Sequence, residues 1–317
     1  MITEFQKMKA SREKTAKAIS DKIDYRQREI NDSEREFDGY KIISKRACDA
    51  LLVIGRSDIA DRIEKCDSGA RCQSIWCKRC RNTAALTFEN IIRNAIEQKY
   101  TNNFDGQYLK EKLYHVTGHM GICRVSASEV YRMIANDHKK WIKMRGRKAS
   151  DQIWARVTYE FELVNLKFLE EAANNTKKQL QISQMKKIAI DEGRLGDKDN
   201  LVMYCHWHGV WDATEEQINK VVGSLYSLDG KKLYKTSDSG LFVQKMRKDF
   251  EFDKSIKKIS SYNFKSAVRF KHSFKGDDFK ERITKNEIMT NEELGKLIEI
   301  YDEAQGKNWQ SLHRSIG

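Results

Sequence analysis

His206 and His208 stand one residue apart in the run Leu201-Val-Met-Tyr-Cys-His-Trp-His-Gly-Val-Trp-Asp212, whose apolar and aromatic composition predicts a β-strand. Side chains alternate faces along a strand, so the two imidazoles project from one side while Cys205, Trp207 and Gly209 project from the other. Neutral imidazole is the commonest side-chain ligand for a divalent ion, and a strand aims a pair of rings more firmly than a loop does. A strand with two half-exposed polar residues would read the same way, so the metal reading depends on what else the chain supplies. One such feature is Ile259-Ser-Ser-Tyr-Asn-Phe-Lys-Ser-Ala-Val268. If that segment is helical, Tyr262 and Lys265 lie three apart on one face, a phenol beside an ammonium. The pairing suits phosphoryl transfer, in which a tyrosine attacks phosphorus and a neighbouring cation eases its ionisation and steadies charge on the phosphate. No other tyrosine in the chain has a lysine three residues on. An ordinary amphipathic helix with a surface tyrosine also fits the pair.

These groups need elements to position them. Leu113-Tyr-His-Val-Thr-Gly-His-Met120 is strand-like, and the segment from Ser126 to Trp141 has a helical apolar period through Val130, Met133, Ile134 and Trp141. Trp154-Ala-Arg-Val-Thr-Tyr-Glu-Phe-Glu-Leu-Val164 alternates as a strand, which puts Thr158, Glu160 and Glu162 on one face. Residues 166–200 read as helical and end in a polar Gly/Asp turn region.

Taken together, the motifs resemble the HUH endonucleases, and among them the rolling-circle replication initiators of plasmids and phages. The likeness rests on His206-Trp207-His208, on Tyr262-Asn-Phe-Lys265, and on Leu113–Met120 as a divergent copy of the family's first, hydrophobic-Thr-hydrophobic-Thr strand. It runs over roughly residues 110–272. It implies an α+β core, an antiparallel sheet with flanking helices. It also implies a glutamate from the strand before the His strand as third metal ligand. Glu162 and Glu160 are the two choices, and the Glu-Leu-Val ending favours Glu162. Tyr262 would be the nucleophile and Lys265 its electrostatic partner. The implied activity is metal-dependent nicking and rejoining of one DNA strand through a 5′-phosphotyrosine. The partners would be origin DNA, single-stranded or as a hairpin, with a host helicase and polymerase. A prokaryotic cytoplasm and a plasmid or phage source follow from the same likeness. A transposase or mobilisation relaxase would use the same chemistry, and a non-enzymatic zinc-containing DNA-binding regulator is the reading from a different class. Residues 166–200 depart from the family's short hairpin. They would form a lid, a DNA-contacting arm or a plain surface excursion.

A second constellation is Cys66, Cys72, Cys77 and Cys80, closing in Cys-x-x-Cys. Four thiolates in one short segment can wrap a tetrahedral Zn²⁺ with bonds of about 2.3 Å. Disulfides are the alternative, but no secretory signal precedes the cluster, which favours the reduced, zinc-binding state. With four thiolates the site has no open position, so its expected role is structural. A His/carboxylate site that polarises phosphate needs open positions and harder ions, hence an exchangeable Mg²⁺ or Mn²⁺.

Composition agrees with a nucleic-acid partner. Across 317 residues the formal net charge is +13 and the pI is about 9.2, a balance suited to a polyanion. A mean hydropathy of −0.72 and the lack of a long apolar run argue against a membrane protein. Four regions follow: a charged arm over 1–40, a helical region with the Cys cluster over 41–105, a catalytic core over 106–275 carrying the 166–200 insertion, and a helical tail over 276–317. The tail has a capping-box-like Thr290-Asn-Glu-Glu293. Aromatic and lysine residues interleaved over 262–274 would stack bases and hold phosphates, or form the apolar side of a helix and strand.

Overall fold

Among the described residues seven strands carry the β-structure: β1 (Leu113–Arg124), β2 (Trp154–Asn165), β3 (Leu201–Asp212), β4 (Leu241–Lys245), β5 (Arg269–Lys275), β6 (Arg282–Ile288) and β7 (His313–Ile316). Five of them form one sheet in the order β4-β1-β3-β2-β7, antiparallel throughout, while β5 and β6 pair separately. The labelled helices are α1 (Ser57–Glu64), α2 (Lys78–Tyr100), α3 (Ala127–Arg147), α4 (Lys177–Asp191), α5 (Glu215–Val222), α6 (Phe252–Tyr262) and α7 (Asn291–Gln305), and residues 43–53 are also helical. The computed structural model describes residues 43–66, 70–100, 113–147, 153–167, 177–222, 241–245, 252–262, 264, 269–275, 282–305 and 312–316. The chain divides into units 1–46 and 47–317, and every labelled element belongs to the second. The expected arm over 1–40 lies outside the described residues. The fold class is thus α+β, an antiparallel sheet with flanking helices.

Central strand β3 is buried along nearly its whole length, as its unbroken apolar and aromatic sequence requires. One face of the sheet packs on α3. Its buried stripe Val130, Met133, Ile134, Trp141 and Met144 repeats at helical spacing, and Trp141 meets Trp207 edge-on at 5.4 Å. Asp137, also on that stripe, accepts hydrogen bonds from Trp141 Nε1 at 2.9 Å and Tyr159 Oη at 2.8 Å, which satisfies a buried carboxylate. Helix α7 opens with the expected capping box: Glu293 N donates to Thr290 Oγ1 and Thr290 N to Glu293 Oε2. From its third turn, Tyr301 bonds both the N–H and the C=O of Phe161. Strand β7 pairs only with Ala155–Thr158, so Tyr301 occupies the β2 edge that β7 leaves uncovered.

The region expected as a helical tail is therefore corrected. Besides α7 it holds β6 and the sheet strand β7, both too short and too polar to register as strands by pattern. A fragment ending at residue 275 would lack one sheet strand and the helix that caps β2. The expected insertion does contain a helix, α4. It is not a free excursion, because Ile182, Met185 and Ala189 pack on Ile122, Val202 and Tyr204. That contact depends on a bulge between His119 and Gly121, where Gly121 takes φ +130°. The bulge shifts the alternation of β1 by one residue, so Ile122 faces the same side as His119.

Gly118 pairs directly with Trp207, whose indole lies where a Cβ would stand. Both are central to the sheet, and Trp207 is fully buried. Gly118→Ala is expected to cost about 1–3 kcal/mol as overpacking, read as a lowered denaturant midpoint with an unchanged slope.

Candidate metal centres

The antiparallel register of β2 on β3 sets Glu160 opposite His206 and Thr158 opposite His208. Glu160 Oε2 lies 3.3 Å from His206 Nε2 and 3.0 Å from His208 Nε2. The three residues are buried, and one ligand atom from each falls within 4.8 Å of the others, so the group could hold a metal ion. The separations fit: adjacent ligands of an octahedral ion with bonds of about 2.1 Å stand about 3 Å apart. Of the two acids on this face, Glu160 forms the group. Glu162, favoured from the sequence, pairs with Tyr204 one alternation further along, outside it. Strand register decides between them, and the Glu-Leu-Val ending carries no information about register.

Strand β1 supplies a supporting layer. Thr117 pairs with His208 and His119 with His206 across β1 and β3. Thr117 Oγ1 lies 2.6 Å from His208 Nδ1, both groups buried. When Nδ1 carries the proton and donates it to the hydroxyl, the Nε2 lone pair faces Glu160, as a metal ligand requires. His119 Nδ1 shares a hydrogen bond with the Tyr204 hydroxyl, and the Tyr204 ring stacks on His206 at 4.4 Å. His115 lies parallel to His208 at 5.5 Å. Burial, reinforced by His208, pushes His115 down to about 3, so it is neutral at neutral pH. Sequence reasoning left Thr117 without a settled role and passed over His115, His119 and Tyr204. Their period-two spacing put each set on one face, but only the neighbour relation of β1 and β3 brings the sets together.

Cys66, Cys72, Cys77 and Cys80 also converge within 4.8 Å, and this cluster too could hold a metal ion. Cys66 Sγ and Cys72 Sγ lie 3.5 and 3.6 Å from Cys80 Sγ. A tetrahedron of Zn–S bonds of about 2.3 Å has edges of about 3.8 Å, close to these values. Backbone N–H groups of Cys72 and Gln73 donate to Cys66 Sγ and Cys80 Sγ at 3.4 and 3.3 Å, as thiolates accept. Gln73 adopts φ +61° to turn the chain between them. Cys77 immediately precedes α2 and Cys80 lies in its first turn, where the helix N-terminus favours negative charge. The hydrogen bond from Cys72 holds the Cys77 thiol down to about 5 despite burial, while Cys72 is pushed up by the same bond and by burial. Trp76, buried inside the loop, meets Tyr301 edge-on at 5.2 Å, so the loop rests on α7 and through it on β2. Cys48, Cys123 and Cys205 stand outside the cluster.

Tyr262 is the last described residue of α6, and the expected pairing with Lys265 falls on residues outside those described. The side chain of Tyr262, all of Lys265 and most side chains of 262–274 lie outside the described residues. Among the described residues, no helix is long and apolar enough to cross a membrane. No family model, curated protein or solved structure matches this chain.

Proposed function

We propose that the five-stranded sheet is an HUH-type nuclease core, and that the protein nicks and rejoins one DNA strand to start rolling-circle replication. The observation that carries this reading is the convergence of Glu160, His206 and His208 from adjacent central strands into one buried group. Paired imidazoles with one carboxylate would hold Mg²⁺ or Mn²⁺, and the bound ion would polarise the scissile phosphate as a Lewis acid. Tyr262 would then attack phosphorus through its phenol oxygen. A Tyr–O–P bond forms and the bond from phosphorus to the 3′ oxygen breaks. The phenol proton is lost, the departing 3′ oxygen takes up a proton, and the 3′-hydroxyl is free to prime a polymerase. Lys265 would favour the tyrosinate and the charge on the transferring group. The order of motifs along the chain and the net charge of +13 support the same substrate, DNA. The tetracysteine cluster would hold a structural Zn²⁺ apart from this chemistry.

The test is incubation of the purified protein with plasmid single strands and Mn²⁺, followed by a denaturing gel. A protein–DNA adduct is expected, lost on chelation and lost in Tyr262→Phe, which keeps the ring and removes only the nucleophilic oxygen. DNA binding by that variant should stay within about twofold of the parent. DNA binding without any adduct would reassign the chain to a non-enzymatic zinc-containing regulator. An undiminished adduct in Tyr262→Phe would move the nucleophile to another tyrosine.

A further inference from the structure

We propose that Arg156 and Phe242 seat an unpaired DNA strand beside the metal group, at its His208 end, Arg156 taking a backbone phosphate and Phe242 stacking on a base. The inference rests on the nicking reading and adds the residues that would hold its substrate. Directly paired residues of antiparallel strands share a face, so the registers define a row Phe242–Thr117–His208–Thr158 across four strands. A second row, Gln244–His115–Val210–Arg156, lies on the same face one alternation along. By strand geometry, Arg156 starts about 7 Å along the strands from the His208 row, and Phe242 about 10 Å across them from His208. Both residues thus stand at the His208 end of the metal group, on the side away from His206 and Glu160.

Each is anomalous for its setting. Tyr159, Phe161, Tyr204, Trp207 and Trp211 of the same sheet are buried, whereas Phe242 is 51 % exposed, on the edge strand β4. A lone exposed apolar residue needs no explanation, but a ring one strand from Thr117, which holds His208, has a use in this place. Arg156 is half-buried, and among the described residues its Nε has no hydrogen-bond partner and its guanidinium no carboxylate partner. Burial alone lowers its pKa, with no acid raising it, yet guanidinium stays charged at neutral pH. A charge taken from water without a counter-ion is costly, and a phosphate oxygen would supply the missing partner by a charge-assisted hydrogen bond.

The experiment measures binding of a fluorescent single-stranded oligonucleotide by the full-length, zinc-loaded protein in buffer free of Mg²⁺ and Mn²⁺, across a salt series. Arg156→Gln is expected to weaken binding about five- to tenfold and to lower the log–log salt slope by about 0.7, the loss of one phosphate contact on a single strand. Arg156→Lys should keep the slope. Phe242→Ala should weaken binding at least about fivefold without changing the slope, and Phe242→Trp should restore it. Mn²⁺ affinity, measured in the absence of DNA, should match the parent in all four variants, which shows that the metal face is intact. If the parent binds single strands and Arg156→Gln and Phe242→Ala bind as tightly, this inference falls and the nicking reading stands. If the parent binds no DNA at all, the nicking reading falls and takes this inference with it.

Discussion

Glu160→Gln and His208→Ala are each expected to abolish Mn²⁺ binding at micromolar ion and to remove the nicking adduct, while Glu162→Gln leaves both within about threefold of the parent. The difference follows from register. Glu160 contacts both imidazoles at 3.0 and 3.3 Å inside a buried group, whereas Glu162 sits opposite Tyr204 and contributes no ligand atom to it. Losing one of three protein ligands removes a charge or a donor that buried surroundings cannot replace with water at equal strength. Thr117→Val tests the support rather than the ligand. It removes the hydroxyl 2.6 Å from His208 Nδ1 and should weaken Mn²⁺ binding about 10- to 100-fold, with Thr117→Ser restoring it. Titration of Mn²⁺ into zinc-loaded protein dialysed free of Mg²⁺ and Mn²⁺, followed by calorimetry, reads these affinities directly. Equal losses from Glu160→Gln and Glu162→Gln would mean that the ion is held at a different point on this face.

The contrast between the two glutamates shows which parts of the site a sequence can carry. Period-two alternation is local, so the shared face of His206 and His208, and that of Thr158, Glu160 and Glu162, follows from the residues alone. Which glutamate meets which histidine depends on the offset between β2 and β3, a non-local quantity fixed when whole strands pair. Thr117 and His119 were hidden for the same reason, since nothing within Leu113–Arg124 says that β1 lies beside β3. The bulge at Gly121 adds a phase change that a simple alternation would misplace. Helices α3 and α7 were legible because long apolar stripes and a capping box are strong local signals. Strand β7 was not, being four residues whose place depends on β2 offering a free edge. The cysteine cluster was legible as a set because all four ligands lie within fifteen residues. Its docking through Trp76 on Tyr301 was not, because that contact joins residues from opposite ends of the chain.

That docking gives Cys77→Ser a large and distinctive expected effect. Parent protein purified under reducing conditions should contain one zinc per chain, and Cys77→Ser should contain well under half of that. Serine is a poor zinc ligand at neutral pH, and the hydrogen bond from Cys72 holds the Cys77 thiol down to about 5. An ion held by four thiolates from this one short loop would fix its turn, so zinc binding and folding of this segment are coupled. Without the ion, Ile75 and Trp76 lose the turn that buries them, and Trp76 leaves the edge of Tyr301. Tyr301 in turn bonds both backbone groups of Phe161, the residue next to Glu160. The expected sequence is therefore graded. Limited proteolysis should cut first within 66–80, the melting temperature should fall by several degrees, and Mn²⁺ affinity should decline only modestly, because the β2–β3 register is held by a full ladder of its own. Acidification should release zinc from the parent as the thiolates take up protons, with the same order of events. Zinc-free protein that melts and resists protease like the parent would leave the four sulfurs as a cysteine-rich core with no ion to hold.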